Sequence, residues 1–344
     1  MSGRFAGKRV LLVDRADDTF HSDGALRRRA LERHGCEVLS VDLVGGSVLE
    51  RLRRLSLAER VSRALRGGTP DLVLVARREA LSLDEVKALR AEVKVPWVLW
   101  TSDEMPDLPA LLAVAPAFDR VYASGSDLAA AVGERFTGVG RYLPLACDPS
   151  FQRPMRARGP FRANVVFAGR ATDQREMLLG GLVEYGLALW GPGWRKTLLR
   201  DYCRGELPKA EDYVRAYAGA TVAVNIHYVD GLDPAHPGRG CNQRVFELAA
   251  IGALQMVDAR ADLPALFTPG EELLVYRDGD ELKELVRRAL YDQAFRDTIA
   301  AAGRQRALQQ HTYMHRTMVI LEEMVEGQRG RGAARSGVAP ASRS

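Results

Sequence analysis

The residues best suited to chemistry stand where apolar runs stop. Gly169 and Arg170 end one such run, and Thr172, Asp173 and Arg175 lead into a helical pattern. An open glycine backbone, a helix N-terminus and one or two guanidiniums together make a seat for a diphosphate. Gly191, Pro192 and Gly193 close the next run, and Trp194 behind them carries a flat apolar face on which a base or a sugar can stack. A third run ends at Asn225-Ile226-His227 and opens a polar loop from Tyr228 to Gly240, long enough in a compact domain to suggest a function. His227 can hydrogen-bond a phosphate or a sugar hydroxyl. Asn242 and Arg244 then open a helix, where backbone donors and a fixed cation meet an anion. Glu247 follows, beside the apolar stretch Leu248 to Ile251. A carboxylate so placed needs partners. A ribose diol offers two donors, and Arg244 at helical spacing offers a salt bridge instead.

Each feature also has an ordinary structural reading. A strand-end glycine can precede surface arginines, Trp194 can pin a loop to a sheet, and a lone histidine can be a buried brace. What is missing narrows the field. No GxGxxG follows Val13 or Phe167 and no GxxxxGK[ST] occurs, which speaks against dinucleotide oxidoreductases and P-loop NTPases.

Composition agrees with a folded protein without a disulfide or metal framework. The chain has 344 residues, 47% of them hydrophobic, enough for two ordinary domains. Cys36, Cys147, Cys203 and Cys241 form no CxxC pair and have no histidine at zinc-ligand spacing, so no metal site is expected. The formal charge of +5 comes from arginines mixed with acids, without a basic stripe for nucleic acid, and it mildly favours anionic small substrates. The apolar run Val10–Val13 is too short for a signal segment, and no stretch approaches a membrane span, so a cytoplasmic protein is expected.

These residues must be held by strands and helices in alternation. In the first half, strands at Lys8–Asp14, Glu37–Val41, Asp71–Ala76, Pro96–Trp100 and Arg120–Ala123 alternate with helices at Asp23–His34, about Ser47–Leu65, and Ser82–Val93. The turn-rich Asp148–Pro154 reads as a linker. The pattern then restarts with strands Ala163–Gly169, Leu187–Trp190, Thr221–Asn225, Leu254–Val257 and Leu273–Tyr276. Helices are expected at Gln174–Tyr185, Glu211–Ala218, Val245–Ile251, Asp280–Asp292 and Asp292–Leu308, followed by an amphipathic run His315–Val325. Strands apolar on both faces imply parallel sheets covered on both sides. The fold class is therefore α/β, two tandem Rossmann-like, doubly wound domains with a cleft between them. Residues 1–150 form the N-terminal unit and 151–326 the C-terminal one, with the last helix packing back on the first, and residues 327–344 form a disordered tail.

The string from Tyr213 through Asn225-Ile226-His227, Asn242–Glu247, Gly252–Asp258, Gly270–Glu272 and His311–Arg316 resembles the CgeB-like (spore maturation protein) glycosyltransferases, a GT-B branch. The likeness is specific over about Asn164–Leu321 and looser before it, where it rests on Trp100–Glu104 with Pro106 and on Leu143–Pro149. The resemblance implies a metal-independent, hexosyltransferase-like enzyme that needs no cofactor and takes a nucleoside diphosphate sugar as donor for an unidentified acceptor. It implies that Glu247 holds the ribose hydroxyls, that Arg175, with Arg170 behind it, contacts the diphosphate, and that the neighbourhood of Asn242 and Arg244 faces the sugar phosphate. An inverting enzyme also needs a base from the first half, for which Asp103 ranks ahead of His21 and Glu104. The wider retaining group carries two glutamates separated by seven residues, the later being the ribose carboxylate, and Arg239 stands at the position of the earlier one. That departure leaves open a catalytically inactive nucleotide-sugar-binding or assembly protein.

Overall fold

Strand Arg9–Asp14 (β1) shows how the first sheet is built: Val10 and Leu12 enter one core, Leu11 and Val13 the other, because successive side chains leave opposite faces. A computed structural model gives the fold over residues 3–15, 23–43, 45, 55–77, 80–101, 107–207, 209–228 and 238–327. Within it Glu37–Asp42 (β2), Leu72–Val75 (β3), Trp97–Thr101 (β4), Arg120–Ala123 (β5) and Gly140–Tyr142 (β6) join β1 in a parallel sheet of order β2-β1-β3-β4-β5-β6. Helices Asp23–Arg33 (α1), Leu57–Arg66 (α2), Leu83–Glu92 (α3), Leu108–Val114 (α4) and Ser126–Arg135 (α5) connect its strands. Ser56 and Ser82 start α2 and α3 with reciprocal capping boxes to Glu59 and Glu85.

The second sheet repeats the plan. Ala163–Ala168 (β7), Leu187–Trp190 (β8), Cys203–Gly205 (β9), Ala220–Asn225 (β10), Gln255–Asp258 (β11) and Leu274–Tyr276 (β12) pair in parallel in the order β12-β11-β10-β7-β8-β9. The helices are Asp173–Gly180 (α6), Ala210–Ala218 (α7), Gln243–Ile251 (α8), Leu263–Leu266 (α9), Gly279–Tyr291 (α10) and Gln293–Gln310 (α11). Strand order reverses between β7 and β10, and in open sheets of this kind the carboxyl ends at that point form the ligand crevice.

A last helix, Tyr313–Leu321 (α12), returns to the first sheet. Tyr313, Ile320 and Leu321 share a core with Val10, Leu12 and Trp100. Beyond it Glu323 accepts a 2.7 Å hydrogen bond from the Tyr122 hydroxyl and pairs with Arg120. The chain thus crosses between the sheets twice, and the two crossings are joined. The Cys147 amide donates to the His311 carbonyl at 3.0 Å, and the Tyr313 amide donates to the Cys147 carbonyl at 2.9 Å. Arg316 adds donors to the carbonyls of Pro144, at 2.9 Å, and of Gln310, also at 2.9 Å.

Several elements differ from the sequence expectation. The helix expected over Ser47–Leu65 is found as α2, and residues 46–54 lie outside the described residues, as do residues 328–344 of the expected tail. The helix expected over Gln174–Tyr185 stops at Gly180, where Gly180-Gly181 weakens it, and only a 3₁₀ turn at Val183–Tyr185 follows. The sequence reading missed α4, α5, β6 and β9; the two strands are three residues each, too short for periodicity to register. Among the described residues no helix is long and apolar enough to cross a membrane.

Candidate functional site

The switch point of the second sheet gathers most of the residues singled out in the sequence. β7 ends at Ala168, and the backbone continues through Gly169 to Thr172, whose side chain caps α6 by accepting from the Arg175 amide. The loop after β8 wraps this turn. The Ala171 amide donates to the Pro192 carbonyl at 3.0 Å, and a Cβ on Gly191 would stand 2.5 Å from the Gly169 carbonyl oxygen. Gly193 lies at φ +94°, a conformation that favours glycine. Glycines here serve the close approach of two loops.

Arg175 is 6% exposed and donates through Nη1 to the Arg170 carbonyl and through Nη2 to the Ile226 carbonyl, both at 3.0 Å. It therefore ties the β7 loop to the end of β10. Its guanidinium carbon lies 5.2 Å from the Phe167 ring centroid, and that of Arg244 lies 5.6 Å from the same centroid. One aromatic ring so brings two cations together at the mouth of the sheet. The Arg170 side chain is exposed.

Asn242 caps α8, its Oδ1 accepting from the Val245 amide. The first-turn amides of α8 and the helix dipole give this end of the helix a positive potential. Glu247 lies one turn further along, half-buried, and its partners are not those expected. Oε1 accepts from Gln152 Nε2 and from Gln243 Nε2, and Oε2 accepts from the Tyr213 hydroxyl, each at 2.8 Å. The salt bridge to Arg244 considered from helical spacing is not among these; Gln243, four residues back, holds the carboxylate instead. Burial pushes the Glu247 carboxyl above its ordinary range, opposed by the Tyr213 and Gln243 donors and the Arg244 charge. Asp23, at the start of α1 on the first sheet, adds to the upward push, so Glu247 feels charge from the other half of the molecule.

Three sequence candidates are corrected. Trp194 is 0% exposed, packed edge-on against Phe167 with its indole donating 2.8 Å to the Gly169 carbonyl. No ring face is left for a ligand, because the loop folds the indole into the core. Asn225 is likewise 0% exposed, and its amide exchanges two hydrogen bonds with Asn242, at 3.1 and 2.9 Å. His227 uses both ring nitrogens internally: Nδ1 donates to Asp258 at 2.7 Å, and Nε2 accepts from the Asn242 amide at 3.0 Å. That pairing fixes the neutral tautomer, and burial lowers the imidazole pKa. Asn225 and His227 therefore brace the start of α8 instead of meeting a ligand. The proposed bases Asp103, His21 and Glu104 lie outside the described residues.

Sequence reasoning missed Gln152, Tyr213 and Gln243 as partners of Glu247. Gln243 was findable from its i,i+4 spacing, whereas Gln152 reaches Glu247 from the linker and carries no local signal. Opposite Arg239 stands Asp262, 3.5 Å from Arg239 Nε, which also accepts from the Ser126 amide at 2.8 Å and so caps α5 across the two halves. Gly240 lies against Gly125 beside that contact, and a Cβ on Gly240 would stand 2.8 Å from the Ser124 carbonyl oxygen. Among the described residues no group of three or more His, Cys, Asp or Glu is placed to hold a metal ion.

Residues 173–322 match a family described as glycosyl transferase-like. No curated protein sequence matches the chain. Among solved structures, sucrose-phosphate synthase from Thermosynechococcus elongatus superposes with a TM-score of 0.66 at 16% identity, covering 95% of this chain and 100% of that one. The α,α-trehalose 6-phosphate synthase from Burkholderia multivorans gives 0.64 at 12% identity over 97% and 100%. Anabaena HepE in complex with UDP-glucose gives 0.61 at 12% identity over 94% and 99%. At such identities the likeness speaks to architecture, and the architecture is GT-B.

Proposed function

We propose that this protein is a glycosyltransferase of the CgeB-like branch, moving a hexose-like sugar from a nucleoside diphosphate sugar to an acceptor. One observation carries the reading: at the switch point of the second sheet a half-buried Glu247 carboxylate lies one helical turn from Arg244, which shares the Phe167 ring with Arg175. A carboxylate beside clustered cations suits a nucleoside diphosphate, with its ribose hydroxyls on Glu247 and its phosphates toward Arg244 and the first turn of α8. HepE, of the same architecture, holds UDP-glucose, which supports this choice of donor.

Glycosyl transfer leaves negative charge on the departing diphosphate, and fixed cations and helix amides offset it without reorganising. Arg244 and the α8 amides take this role. Arg175, with Nη1 and Nη2 on carbonyls, supplies charge and holds the seat in shape, and exposed Arg170 stands at its rim. The acceptor proton falls to a base from the first half, with Asp103, His21 and Glu104 as the candidates.

Purified protein screened against UDP, ADP and GDP sugars and the bare diphosphates should melt higher with one nucleotide series, since binding to the folded state stabilises it. Arg244→Ala should lower transfer about a hundredfold. If Arg244→Ala and Glu247→Gln both bind and transfer like wild type, the assignment fails. A second reading, binding without transfer, draws on one observation: Arg239, matching the missing glutamate, is paired with Asp262. Nucleotide binding with neither transfer nor donor hydrolysis would select it.

A further inference from the structure

Two glutamines place their amide nitrogens on the same oxygen of Glu247, and each amide is held in that orientation from outside the helix. A glutamine side chain turned by 180° would present its carbonyl oxygen to the carboxylate and repel it, so something must choose the rotamer. For Gln243 the chooser is the Tyr313 hydroxyl, which donates to Gln243 Oε1 at 3.0 Å. For Gln152 it is the Asp148 amide, which donates to Gln152 Oε1 at 2.6 Å. Tyr313 begins α12 on the first sheet and is 1% exposed, against Trp100. Asp148 lies on the linker, 2% exposed, where its carboxylate meets Arg29 and Arg33 of α1 at 3.4 and 3.2 Å. Both supports therefore come from chain anchored to the first half, one from each crossing. With Oε1 occupied twice, Oε2 keeps acceptor capacity beyond its bond from Tyr213.

We infer that Tyr313 and Gln152 are positioning residues that aim the Glu247 carboxylate at a ribose hydroxyl, so that ribose recognition in the second half depends on contacts with the first. The inference rests on the proposed seating of a nucleoside diphosphate with its ribose on Glu247. It adds that the ribose grip is completed by residues outside the nucleotide half. An isolated second half would then lose discrimination for the ribose before it loses affinity for phosphate.

The test compares ribose and 2′,3′-dideoxyribose forms of UDP, ADP and GDP by calorimetric titration on full-length wild type, Tyr313→Phe, Gln152→Leu and Glu247→Gln. Wild type should prefer the ribose form of its nucleotide. Tyr313→Phe and Gln152→Leu should each weaken the ribose form by up to about tenfold, the scale of one lost hydrogen bond, and leave the dideoxy form unchanged. Tyr313→Phe placed on Glu247→Gln should have no additional effect, because the carboxylate it serves is gone. A loss equal for both forms in both variants marks general damage to the fold and overturns the inference, as does an unchanged ribose preference in both. Wild type that binds no diphosphate, or binds both forms alike, overturns the seat itself and the inference with it. That failure is recognisable because it appears before any variant is made.

Discussion

Glu247 sits where two demands oppose each other: burial favours its neutral form, while the proposed recognition of a ribose hydroxyl needs its charge. Because its pKa is raised, the carboxylate protonates on acidification at a higher pH than an exposed glutamate. Nucleotide affinity should accordingly fall as pH drops through that raised value, and Glu247→Gln should be weak but lack this acid limb; calorimetry across pH 4–8 checks both. The position of Arg244 and Glu247 in the first turns of a helix that follows a strand was legible in the sequence, because that placement follows from local rules. Trp194, Asn225 and His227 obey the same local rules, yet their side chains turn inward. What decides the direction is the Gly169 carbonyl and Phe167 ring for Trp194 and the Asp258 carboxylate for His227, none of which is near in sequence.

At the scale of elements, α5 begins at Gly125, which offers no side-chain cap, and Asp262 from beside α9 supplies the missing acceptor across the interface. Asp262→Ala should therefore cost about 1 kcal/mol, seen as a lower melting temperature, and Asp262→Asn should recover part of it. The alternation of strand and helix was legible in sequence since long apolar runs fix it. Elements of three residues, such as β6 and β9, were not, because their pairing is set by neighbours already in the sheet. The same limit hid Gln152, whose role exists only once the linker is folded against α8.

At the scale of the whole molecule, four histidines among the described residues, His34, His227, His311 and His315, are buried or half-buried, and burial depresses their pKa values, His311 to about 4. The unfolded chain takes up protons near pH 6.5 while the folded one resists. Stability is therefore full above that pH and is lost as pH falls toward the folded values, at about 1.4 kcal/mol per pH unit for each histidine still neutral. Melting temperature followed from pH 7.5 to 4.5 should decline steeply. Ending the chain at Gln310 should lower it far more, since Tyr313, Ile320 and Leu321 leave the first core and Arg316 leaves the crossing. Ending it after Gly327 should change nothing measurable.

The return of α12 to the first sheet has a consequence for how such chains can be recombined. The first core is encoded in two separated stretches, one before the linker and one after α11. A chimera that swaps only the leading stretch between relatives would mate a new sheet with a foreign helix. Recombination must carry both segments together, and single-breakpoint hybrids should be recovered mostly as insoluble protein.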